Sequence, residues 1–181
     1  MRLFDGLQRY RSTVGNLLLV VVLVFSTPNA ASITTGFFLI LSGAIFRAWS
    51  SGYLTGPDDF PRTGPFSLTR NPMEFGNFLI GLGVAVGANH LSSYLIVFLY
   101  FVSFFPLKMV RKHRRQKERF GNDFLVWMRQ TNAFFPRLWR MVPGEFNISS
   151  YMTNREYRVI YFSLFFIVVL VIKFIHSVKP D

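Results

Sequence analysis

Apolar residues fall into five blocks along the chain, at 14–25, 33–46, 78–88, 91–105 and 159–175, and the stretches between them hold most of the charge. A helix crossing the bilayer core needs roughly 20 predominantly apolar residues. The last two blocks approach that length. The shorter three reach it through flanking Ser, Thr, Asn, Trp and Arg, which anchor or snorkel at the interface. The pattern predicts an all-α, polytopic integral membrane protein with about five transmembrane helices, at 14–27, 32–49, 77–89, 91–107 and 159–175. These form a single membrane domain over residues 1–181, with cytoplasmic interfacial helices. A cleaved signal peptide is the alternative for the first block, because Arg2, Arg9 and Arg11 precede it and Asn29-Ala30-Ala31 follows. A second apolar block after a short uncharged loop favours a helical hairpin instead.

Composition sharpens this picture. The chain is 51% hydrophobic with 22 Phe, yet carries a net charge of +11. A soluble domain of this size has too little polar surface for that apolar content. Both facts hold together when the apolar and basic residues are segregated. Arg2, Arg9 and Arg11 lie before the first block, Arg47, Arg62 and Arg70 between the second and third, and twelve Lys or Arg between Lys108 and Arg158. Five spans place all of these on one side, and the loops 26–32 and 89–93 have none. The positive-inside rule then puts the N-terminus in the cytoplasm and the C-terminus outside, as expected for a bacterial inner membrane. Anionic lipid head groups are the partner expected for the basic face, rather than nucleic acid, since the charge lies hard against the spans. The run Arg111-Lys112-His113-Arg114-Arg115 reads as a topology anchor. With no cysteine, a disulfide scaffold, a thiolate metal site and a Cys nucleophile are excluded. His90, His113 and His176 lack metal-ligand spacing, and no metal is expected.

Turn and cap signals organise the polar segments. Gly56-Pro57, Pro61 and Gly64-Pro65 punctuate the loop 51–70. Asn71, Pro72 and Glu74 fit the N-cap, first helical position and capping-box acid of a helix. A basic helix is predicted over about 107–120, ended by Gly121, with a second helix through 124–129. Phe124, Trp127 and Met128 share a face of that helix suited to the membrane interface. Thr153 to Glu156 reads as a capping box opening the last span. Gly81-Leu-Gly83-Val-Ala-Val-Gly87 has the wrong context for a dinucleotide loop and reads as close helix packing through Gly83 and Gly87.

The string Gly64-Pro65-Phe66-Ser67-Leu68-Thr69-Arg70-Asn71-Pro72-Met73-Glu74-Phe75-Gly76-Asn77 resembles the signature of the isoprenylcysteine carboxyl methyltransferase and phospholipid methyltransferase superfamily. Arg47–Leu54, Glu118–Phe124 with Phe134-Phe135-Pro136, and Asn154–Tyr157 are similar to further family segments in the same order, over about residues 40–175. The resemblance implies an S-adenosylmethionine-dependent methyltransferase acting on an amphiphilic or lipid-like carboxylate or amine at the cytoplasmic face. It implies a cofactor site at Gly64, Pro65, Arg70, Asn71, Pro72, Glu74, Gly76, Glu118, Phe120 and Gly121, with Arg70 as the catalytic residue. The site halves are then the cytoplasmic segments 51–76 and 108–136. The helix N-terminus after Asn71 suits a carboxylate, and Phe66, Phe75, Phe120 and Phe124 offer π-faces to a sulfonium.

The sequence departs from the family pattern in three places. Asn71 stands for the usual His and Glu74 for the usual Tyr, and His113 and Arg114 stand where an acidic pair is usual. These departures define the alternative: a non-catalytic or repurposed member of the fold, a membrane scaffold or lipid-binding protein. A nicotinamide-dependent reductase of similar architecture is a further reading. A transporter fits less well, since Lys173 is the one charge well within a span.

Overall fold

Long apolar stretches without helix breakers satisfy their backbone groups internally, and each of the five blocks forms a helix. The computed structural model describes residues 2–54 and 60–178, with side chains from residue 13 onward. The Gly56-Pro57 turn and the side chains of Arg2, Arg9 and Arg11 lie outside the described residues. The elements are α1 (Arg2–Phe25), α2 (Ala30–Ser51), α3 (Pro65–Leu68), α4 (Pro72–Ala88), α5 (Leu91–Gln130), a 3-10 turn at Leu138–Arg140, α6 (Ile148–Thr153) and α7 (Tyr157–Val178). No strand occurs among the described residues. Helices α2, α5 and α7 are long and apolar enough to cross a membrane; the apolar part of α1 (Thr13–Phe25) and α4 are shorter.

Small residues decide how the bundle closes. Gly36 and Gly43 on α2 face Gly83 and Gly76 on α4 so closely that an added Cβ on either would lie 2.6 Å from the facing carbonyl oxygen. The backbones therefore touch without intervening side chains, as in small-residue membrane helix pairs. Gly83 and Gly87 do this packing as their spacing predicts. Around the seam, Val22, Ile33, Ile40, Val84, Ala88, Phe166 and Leu170 join α1, α2, α4 and α7 in one apolar core. Most other large apolar side chains of α1, α5 and α7 point outward, among them Leu17, Phe98, Phe162 and Phe165. In an aqueous protein that would be a defect; in lipid it is the expected outer surface.

At the end opposite the basic segments, α2 is capped by a reciprocal pair: the Asn29 side chain accepts from Ser32 N at 2.8 Å and Ser32 Oγ from Asn29 N at 3.0 Å. Nearby, the Lys173 amine donates to the Leu23 and Val24 carbonyls, both at 2.8 Å, and to Ser26 Oγ at 3.1 Å. A charge within an apolar helix is thus spent on the free carbonyls ending α1.

Two local expectations are corrected. Glu74 does not close a capping box, and the Asn71 side chain caps nothing within α4; both side chains are drawn to partners on other elements. The Thr153–Glu156 box does not form either. Helix α6 ends at Thr153, Arg155 takes a left-handed φ of 54°, and Glu156 leaves its own helix for α2.

Candidate functional site

The loop before α4 cannot satisfy its own backbone groups, and a segment about sixty residues later supplies the partners. Arg70 N donates to the Asn132 carbonyl at 2.8 Å, Thr69 Oγ1 to Phe134 O at 2.8 Å, and Asn71 Nδ2 to Ala133 O at 2.9 Å. The docking continues through Arg137 N to Leu68 O at 3.0 Å and Gly64 N to Val142 O at 2.8 Å. Asn71 is buried, so its amide is fully committed to this seam. Phe134 plugs in behind it, with ring centroids 4.9–5.7 Å from Phe75, Phe78, Phe101 and Phe105.

The segments 51–76 and 108–136 therefore meet at one end of the bundle. Gly64 caps α3 with φ 56°, Pro65 and Pro72 occupy first-turn positions and are buried, and Gly76 packs on Arg47 and Gly43. Gly121 breaks α5 with φ 54° and ψ −125°, and nothing lies near where its Cβ would be; only the backbone conformation requires glycine there. This kink turns the end of α5 so that Phe124 and Trp127 enclose Phe60, with Phe120 at 5.1 Å from the same ring. The interfacial face expected from Phe124, Trp127 and Met128 is thus corrected: Phe124 and Trp127 are buried, and Met128 packs against them. Glu118 is not part of the assembly. It points outward and pairs with Arg114 at 2.9 Å.

Two polar features escape the motif reading. The first is a chain of charges linking α2, α4, α5 and the turn before α7. Arg47 on α2 makes a bidentate pair with Glu156, its Nε to Oε2 at 2.9 Å and Nη2 to Oε1 at 2.8 Å. Arg47 also donates to Asn77, Asn77 Nδ2 to Glu74 at 3.2 Å, and Lys108 to Glu74. The second is a basic cluster beside it. On α5, Lys108, Lys112 and Gln116 recur every four residues on one face, while Arg114 and Arg115 point outward. That spacing was the available signal, hidden inside a run that reads as a topology anchor.

Electrostatics mark the same cluster. Desolvation, then the charge of Lys108, pushes the Lys112 amine down to about 8, with Glu74 opposing. Desolvation, then Arg70 and Lys112, pushes the His113 imidazole down to about 4. Burial also lowers Arg70. His113 is therefore neutral at pH 7. Because its folded value lies below the ordinary value near 6.5, the unfolded chain binds more protons between about pH 6.5 and 4, and stability falls as pH drops through that window. His113→Gln is expected to flatten part of this acid slope in thermal unfolding measured at pH 7 and 4.5. Equal slopes for the two proteins would disprove the assignment.

Between α1, α4 and α5 lies a cavity of about 260 Å³. Its walls are apolar (Leu18, Val22, Ile80, Val97 and Phe101 among them), and Glu74 and Asn77 supply polar groups. No cluster of three or more His, Cys, Asp or Glu able to hold a metal ion occurs among the described residues.

Fold and site together define a helical protein built for a membrane, with a polar, basic end and a lateral apolar cavity. Comparison with known proteins narrows this. The chain is 31% identical over 114 residues to the nickel-cobalt-cadmium resistance protein NccN of Alcaligenes xylosoxydans xylosoxydans, covering 61% of this chain and 52% of NccN. It is 28% identical over 128 residues to the cobalt-zinc-cadmium resistance protein CzcN of Cupriavidus metallidurans, covering 67% of this chain and 58% of CzcN. The chain thus spans just over half the length of these relatives. No protein-family profile matches it, and no solved structure matches it. The expectation of a methyltransferase is overturned by these relatives, which bear the names of metal-resistance proteins. The signature string keeps the structural roles just described.

Proposed function

We propose that the chain is a non-catalytic membrane component of bacterial resistance to divalent transition metals, and that it holds an amphiphilic, lipid-like molecule at its basic end. The similarity to NccN carries the metal-resistance part of this reading. The cavity between α1, α4 and α5 supports the amphiphile, since its walls suit a hydrocarbon chain and Glu74 and Asn77 offer a polar contact. In this reading all five apolar helices cross the bilayer, α1 and α4 included. The N-terminus and the segments 51–76 and 108–136 face the cytoplasm, and the C-terminus lies outside.

The test is complementation in a bacterium made sensitive to nickel, cobalt, zinc and cadmium by deletion of its own NccN or CzcN relative. Expression of this chain is expected to restore growth at metal concentrations that arrest the deletion strain. Growth no better than that of the empty-vector strain would refute the reading.

A further inference from the structure

We propose that Arg70, Lys112 and His113 form a binding site for a phosphate-class oxyanion, at the place where the loop before α4 meets the basic extension of α5. Arg70 Nε and His113 Nε2 are buried without a hydrogen-bond partner among the described residues. Native proteins rarely leave such groups unsatisfied, and each costs about 1–3 kcal/mol when they do. Lys112 reaches only the Arg70 carbonyl, at a long 3.4 Å, and lies 5.6 Å from the centre of the Phe66 ring. Among the described residues neither Arg70 nor Lys112 has a carboxylate within ion-pair distance; Glu74, whose charge acts on Lys112, is paired with Lys108.

Two cations with no ion pair among the described residues, together with buried groups lacking partners there, describe a site short of an anion. A phosphate group suits it. Its charge matches two cations, and its oxygens accept from donors arriving from separate directions. Here those directions are the loop before α4 and two successive residues of α5, whose charges act on one another. Neutral His113 contributes an Nε2–H donor without adding to the repulsion. The phosphate can belong to a lipid head group or be free in the cytoplasm. The proposal rests on the amphiphile reading only for the first source, where it names the head group.

Two measurements on purified protein distinguish the sources: calorimetric titration with inorganic phosphate in uncharged detergent, and native mass spectrometry after addition of phosphatidylglycerol. Wild type is expected to bind at least one of the two, with Arg70→Gln and Lys112→Gln each weakening that binding tenfold or more. Arg114→Gln, which alters an exposed charge on the same helix, is expected to bind as wild type. Should Lys112→Gln not fold, Arg70→Gln decides alone, because the Arg70 side chain makes no hydrogen bond among the described residues. Binding of neither ligand by wild type, undiminished binding by Arg70→Gln, or an equal loss in Arg114→Gln would each overturn the proposal. Metal tolerance restored in cells alongside any of these results would leave the resistance reading standing and remove this site alone.

Discussion

Glu156→Ala is expected to destabilise the folded bundle by about 3–5 kcal/mol, the usual cost of leaving a buried charge without its partner. Arg47 and Glu156 retain only 13% and 8% of their side-chain exposure. Their pairing is bidentate, so the Arg47 Nε and Nη2 donors lose their carboxylate acceptors together. Arg47 would still be held by Asn77, but a neutral amide oxygen does not neutralise a buried cation. Thermal unfolding in detergent, followed by circular dichroism, measures the loss. The double variant Arg47→Met/Glu156→Leu is expected to recover most of it, because replacing both members removes the desolvation cost along with the attraction. A single variant costing under about 1 kcal/mol would show the pair to be as weak as an exposed surface bridge.

The second large effect is expected at the α2–α4 seam. Gly36→Leu places a branched side chain where even a Cβ would lie 2.6 Å from Gly83 O and 2.8 Å from Gly87 Cα. Both obstacles are backbone, so no rotamer change relieves the overlap and the helices must separate. Overpacking costs about 1–3 kcal/mol where side chains can adjust, and more is expected here. Gly81→Ala is the control, since its Cβ would meet only a Val97 methyl at 3.1 Å. Unfolding midpoints should fall sharply for the first variant and little for the second. Similar midpoints would mean that α2 and α4 do not pack through glycine.

The positions of the apolar helices were legible in the sequence because placing a segment in hydrocarbon requires only composition and length. Gly83 and Gly87 were legible as packing residues for a similar local reason: their four-residue spacing places both on one face. Partners distant in sequence were not. Glu156 reads as a cap because it stands three positions after Thr153, whereas its actual partner, Arg47, is 109 positions away. Glu74 and Asn71 were misread in the same way, each having a plausible local role and a stronger distant one in Lys108 and Ala133. Phe124 and Trp127 show a different limit. Periodicity identifies an apolar face but not what covers it, and here Phe60 does so in place of lipid. The resemblance that suggested methyl transfer is carried chiefly by Gly64–Asn77, and about half of that string is occupied in building the seam with residues 132–142.

The Arg47–Glu156 pair also has a meaning for biosynthesis. Arg47 emerges from the ribosome 109 residues before its partner. While α4 and α5 are being made, its guanidinium does not yet have the carboxylate of Glu156. In the topology proposed above, that unpaired cation would help hold its end of the helix on the cytoplasmic side during that interval. When residues 147–157 arrive, the same charge becomes a clamp between the second helix and the last. In that topology one side chain serves twice, first as an orientation signal and later as the latch between distant parts of the bundle.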